Sequence, residues 1–232
     1  MEWNTKVGNF CESKLYGHPE ILNCMSCIFI SLFPYIGLRY SQLYYTLTKH
    51  IFILLILTGF TSFGYHWSGY YLFKHLDEIP MILSIWFGII NTHKLIGNYI
   101  YTHFITHSYF ILMLSINTIP TYNYIFPILF GIACISLLIP LKLNRFFNKQ
   151  TKELSNKGIY ISIISAFIWI ITEEYCNVLF ILGHSVWHFG ISFGMYNIIL
   201  SVEFCLLNQY DNYHIDYMYY FIPIIQKNSY SV

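Results

Sequence analysis

The chain has 232 residues, of which 56% are hydrophobic and only 10% charged, with a net charge of +1. Mean hydropathy is +0.52, and soluble domains carry about 25% charged residues. So few charges cannot cover a soluble domain of this length, and the balance also excludes a disordered chain and a nucleic-acid binder with a basic face. The six cysteines (Cys11, Cys24, Cys27, Cys134, Cys176 and Cys205) are too few and too scattered for a disulfide scaffold. The composition is that of an integral membrane protein whose surroundings are the lipid bilayer.

The first twenty residues are polar, with Glu2, Glu12 and Glu20, and lack the pattern of a cleaved secretory signal. A helix crossing roughly 30 Å of hydrocarbon needs about 20 mostly apolar residues. Seven stretches qualify, over residues 21–38, 50–66, 78–96, 99–117, 122–141, 158–181 and 184–207. The fourth and fifth form one apolar tract broken only at Ile119-Pro120-Thr121, long enough for two spans and a short turn. The polar connector is 142–157, and no other linker or low-complexity run divides the chain. The expectation is a single all-α domain over 1–232, a seven-transmembrane helix bundle.

Orientation follows the basic residues. Nine of the twelve Lys and Arg fall on connectors 1–2, 3–4, 5–6 and the C-terminal tail, against Lys6, Lys14 and Lys74 on the other side. That bias predicts a lumenal or extracellular N-terminus and a cytosolic C-terminus.

Ionisable groups in membrane spans are costly and therefore mark functional candidates. The second span ends with Ser62 and His66 at i and i+4, on one helical face. The third opens at Asp77-Glu78-Ile79-Pro80, and the seventh opens with His184 and His188, again at i and i+4. The predicted topology brings all three groups to one membrane depth on the non-cytosolic side. Three imidazoles with an open fourth position suit catalytic Zn²⁺, which makes hydroxide available near neutral pH. His66, His184 and His188 fit the ligands, Asp77 a general base and Ser62 a donor to an oxyanion. Each motif also has a plain structural reading: Asp77 as a helix cap beside Pro80, Ser62 bonded back within its own helix. His103 and His107 show the same spacing at a different depth and read as structural.

These residues resemble the alkaline ceramidase family. The resemblance rests on Ser62/His66, on Leu76-Asp77-Glu78-Ile79-Pro80-Met81, and on His184/His188. Phe10-Cys11-Glu12 and Glu20-x-x-Asn23-x-x-Ser26 look like the family's opening segments, and Trp169 to Cys176 matches more loosely. The Ser/His/Asp/His/His skeleton alone is shared with a wider membrane superfamily that includes the progestin and adiponectin receptors. The resemblance implies a zinc amidase that hydrolyses ceramide to a sphingoid base and a fatty acid, in an endomembrane of ER or Golgi type. His66, His184 and His188 would then hold zinc, with Asp77 and Ser62 catalytic. The rival readings are a receptor or scaffold on the same fold with little turnover, or a hydrolase of another lipid amide or ester. No obligate protein partner can be inferred.

The family also builds a calcium site near its N-terminus, with Asn9, Phe10, Glu12 and Glu20 at the corresponding positions here. The chain departs from that pattern: Asn9-Phe10 replaces Asp-Trp, the stretch from Glu12 to Glu20 is shorter, and Lys14 falls near an expected Asn. Cys11 and Cys176 both lie on the predicted non-cytosolic side, where disulfides persist, and are expected to pair. Glu173 and Glu174, in the sixth span, read either as head-group or ligand-orienting acids or as a water-facing helix edge.

Overall fold

The computed structural model describes residues 3–7, 10–43, 45–94, 99–119, 125–143, 148–207 and 213–228. Among them are α1 (Cys11–Tyr16), α2 (Ile21–Tyr40), α3 (Thr46–Ser68), α4 (Tyr71–Lys94), α5 (Tyr99–Thr118), α6 (Phe126–Leu143), α7 (Lys149–Glu174), α8 (Gly183–Leu207), β1 (Tyr213–Met218) and β2 (Ile222–Lys227). Among the described residues, four helices, α2, α3, α7 and α8, are long and apolar enough to cross a membrane, and a shorter apolar stretch runs Ile128–Leu137 within α6. The protein is a mostly helical membrane protein. Each of the seven expected stretches coincides with a long helix, but several ends lie elsewhere, for reasons that can be stated.

The helix expected to open at Asp77 begins instead at Tyr71. Gly69 closes α3 in the left-handed region at φ +67°, its N–H donating to the Tyr65 carbonyl at 2.7 Å. A side chain at Gly69 would also strike the His18 ring, so both conformation and space require glycine. The N–H groups of Tyr71 and Leu72 then donate to the carbonyls of Thr5 and Trp3, at 2.9 and 3.2 Å. Orphan donors of a helix start are thus met by the extended N-terminal segment. Asp77 is left inside the helix, in its second turn, and the helix-cap reading of Asp77 is corrected.

α7 is displaced in the opposite sense. The polar stretch from Lys149 is helical, because the Asn148 side chain accepts from the Thr151 N–H at 2.9 Å and caps it. The expected span to 181 stops at Glu174, and the apolar residues after it form turns. There Asn177 accepts from the Leu179 N–H and the Gly183 N–H donates to the Phe180 carbonyl.

The all-α expectation is also corrected. β1 and β2 form an antiparallel hairpin in which Tyr213 faces Lys227 and Met218 faces Ile222. Ile222, Ile224 and Ile225 are buried in one core with Phe33 and Ile36 of α2, Phe52 of α3, and Tyr196 and Leu200 of α8. Two carbonyls of β2 are met by the helical part of the chain: the Tyr196 hydroxyl donates to the Pro223 carbonyl at 2.6 Å, and the Gln42 N–H to the Ile225 carbonyl at 2.8 Å. The apolar run Ile222 to Ile225 is too short for a span, so hydropathy alone passes over the hairpin.

Helix contacts follow membrane rules, with small residues letting backbones approach. A Cβ on Gly158 would lie 2.6 Å from the Gly194 carbonyl, and one on Gly194 would lie 2.7 Å from that of Gly158. α7 and α8 therefore touch backbone to backbone. At the far end of α8, fully buried Glu203 accepts from the Tyr45 N–H at 3.0 Å and the Thr48 hydroxyl at 2.5 Å. That carboxylate caps the start of α3 from another helix, a placement favoured by the helix dipole.

Candidate metal centre and active site

The last turn of α3 and the first two turns of α8 meet the first two turns of α2. His66, His184 and His188 are 2%, 6% and 4% exposed. Their ring centroids lie 4.9 Å (His66–His184), 5.1 Å (His66–His188) and 4.5 Å (His184–His188) apart.

Two of the rings are held from behind by α2. Nδ1 of His66 is 2.6 Å from Oε2 of Glu20, which also accepts from the Asn23 amide at 3.0 Å. Nδ1 of His188 is 2.8 Å from the Ser26 hydroxyl. With those nitrogens engaged, Nε2 is the atom each ring offers to a ligand, the arrangement in which a carboxylate or hydroxyl orients a metal-binding histidine. Burial raises the Glu20 carboxyl, but the hydrogen bond and charge of His66, with Ser13 and Asn23, bring it below its ordinary value. His184 is different: its Nδ1 is buried without a hydrogen-bond partner. Oε1 of Glu173, 4.0 Å away, is likewise unpartnered, and Glu173 is paired with Lys14 at 3.6 Å through its other oxygen.

The donor set fits a metal ion. Ligand atoms of Cys27, His66 and His188 lie within 4.8 Å of one another, all buried, and the His184 ring adjoins both histidines. Ser62 is buried one turn before His66 on α3. Asp77 accepts from the Thr61 hydroxyl at 3.4 Å.

The N-terminal segment covers this cluster. Phe10 packs on His184 and His66 with ring centroids 4.2 and 5.1 Å away. The next residue, Cys11, is disulfide-bonded to Cys176 beyond the end of α7, with the Cα atoms 5.2 Å apart. Glu12 then fixes α1 to α2, its two oxygens accepting from the N–H groups of Leu22 and Asn23 at 2.8 and 3.0 Å.

A family model described as Ceramidase matches residues 4–226 of this chain. The chain belongs to the ceramidase family. Among curated proteins, none matches it. Membership in the ceramidase family implies a hydrolase acting on amide bonds, with a ceramide lipid as substrate.

Within this ceramidase-family chain nothing among the described residues supports the calcium site. Both oxygens of Glu12 bind helix N–H groups, the Phe10 side chain is an aromatic cover, and Asn9 lies outside the described residues. Oε1 of Glu20 has no hydrogen-bond partner, but calcium takes about six to eight oxygens. Cys27, and the roles of Glu20 and Ser26 behind the histidines, are not apparent from motif reading. The signal lies in α2: Glu20, Asn23, Ser26 and Cys27 follow the i, i+3, i+6, i+7 spacing of one helical face.

Proposed function

We propose that this protein is a zinc-dependent intramembrane amidase that hydrolyses ceramide to a sphingoid base and a free fatty acid. The observation that carries the reading is the cluster of three buried imidazoles, His66, His184 and His188, in a ceramidase-family chain. A zinc ion held by these histidines supplies Lewis acidity and lowers the pKa of water toward neutrality.

The chain's own residues divide the remaining work. Asp77 takes a proton from the attacking water as its oxygen bonds the amide carbon, then returns a proton to the nitrogen as the carbon–nitrogen bond breaks. The Ser62 hydroxyl donates to the carbonyl oxygen as negative charge collects there. Glu20 and Ser26 keep the rings of His66 and His188 in place, and Phe10 shields the cluster from the aqueous side.

The reading includes seven membrane crossings, a lumenal N-terminus and an endomembrane location. The excess of Lys and Arg on one set of connectors supports the orientation, and a disulfide at Cys11 and Cys176 suits an oxidising compartment. The test is purified protein with a long-chain ceramide, following fatty acid and sphingoid base in equal amounts. Release should stop with a zinc chelator and return with added zinc. Stoichiometric zinc with no release of either product refutes the amidase reading.

A further inference from the structure

The motif histidines and Asp77 leave one reactive group at the centre unused. Cys27 is 2% exposed and lies on the face of α2 that meets the histidines. Its Sγ is 3.8 Å from the His188 ring nitrogen Nδ1 and donates to the Asn23 carbonyl at 3.1 Å. Its ligand atom is within 4.8 Å of those of His66 and His188. Zinc–sulfur and zinc–nitrogen bonds of about 2.3 and 2.0–2.1 Å put tetrahedral S and N ligands roughly 3.5 Å apart. The His184 ring stands against both histidines of that group, with centroids 4.9 Å from His66 and 4.5 Å from His188.

We propose that Cys27 is a fourth protein ligand of the metal bound by His66, His184 and His188, and that its sulfur holds the centre closed when no lipid is bound. This rests on the zinc reading above. As the sulfur–metal bond forms, the thiol proton passes to water; when the sulfur leaves, it takes a proton back, and no electrons are exchanged. Four protein ligands make the closed arrangement of structural zinc, whereas three with an open position make the catalytic one. Cys27 therefore sets a latent state, and the centre opens by exchanging sulfur for water. A soft sulfur ligand also biases the site toward zinc over oxygen-seeking ions such as magnesium and calcium.

The experiment loads the full chain with cobalt(II) and reads the sulfur-to-cobalt charge-transfer absorption in the near ultraviolet. Wild-type protein should show the band with one cobalt per chain. Cys27→Ser and Cys27→Ala should lose it while keeping the cobalt, and Cys24→Ser, whose thiol faces the Phe63 carbonyl, should retain it. A non-hydrolysable ceramide analogue should weaken the wild-type band, and Cys27→Ser should turn over ceramide severalfold faster. X-ray absorption of the zinc form gives the same answer without substitution, as a sulfur neighbour at about 2.3 Å. Cobalt bound stoichiometrically without the band, or a band that survives Cys27→Ser, overturns the Cys27 ligand alone. Failure of the wild-type chain to bind metal overturns the zinc reading with it.

Discussion

At the residue scale the site divides into groups that bear on the chemistry and groups that hold them. Asp77→Asn keeps the shape of the side chain but removes the proton acceptor, so turnover should fall by about 10²–10⁴-fold with zinc content unchanged. Zinc analysis beside a ceramide assay checks both halves, and wild-type turnover in Asp77→Asn would remove Asp77 from the mechanism. Glu20→Gln should lower zinc affinity by roughly 10–100-fold, because the neutral amide orients and polarises His66 less well. Competition with a calibrated chelator measures that. The three histidines, Asp77 and Ser62 stand out in the sequence as candidates because ionisable and polar groups are conspicuous in apolar spans. Glu20 is visible as an acid, but its direction is not: it is set by the packing of α2 on α3, which turns Oε2 to His66. Cys27 is invisible for another reason, since a thiol counts as apolar in any hydropathy pattern.

At the scale of elements, hydropathy locates the helices and fails at their ends. The start of α4 depends on the carbonyls of Trp3 and Thr5, which reach it from the N-terminal segment, and no local signal near Tyr71 carries that information. The end of α7 depends on a turn built from residues as apolar as the helix before it. The α7–α8 contact is sharply testable. Gly194→Ala would set a methyl group against the Gly158 carbonyl and the Ser162 hydroxyl, and should destabilise the protein by about 1–3 kcal/mol. Gly131→Ala in α6 meets nothing within 4 Å and should be neutral or stabilising by up to about 1 kcal/mol. Thermal unfolding in detergent separates the two, and equal midpoints would refute the close approach of α7 and α8. Glu203→Ala removes the acceptor for Tyr45 and Thr48. It should cost about 1–3 kcal/mol in the same measurement, because buried donors are left without partners.

At the scale of the molecule, Phe10, the disulfide and the Glu12 clamp hold one segment across the histidine cluster. A substrate that cannot pass this cover must reach the site from the side, which suits an amide carried on long chains within the bilayer. Ceramide in vesicles should therefore be cleaved much faster than a short-chain, water-soluble amide at equal concentration, and comparable rates for the two would contradict lateral entry. The mostly helical character of the chain is legible from its apolar stretches alone. The hairpin is not, because its value lies in contacts with helices far away in the chain.

That same long-distance packing sets an order of events in time. Ser26 and His188, which meet in the finished site, are 162 residues apart in sequence, and a ribosome adding roughly 5–20 residues per second needs on the order of 8–30 s to make the second after the first. During that interval α2 waits with Glu20, Asn23 and Ser26 facing no α8, and Phe33 and Ile36 still lack the hairpin. The polar face that later orients the histidines is, until then, an exposed hazard. Slowed synthesis between α2 and α8 should therefore lower the yield of folded protein before it changes the activity of any molecule that folds.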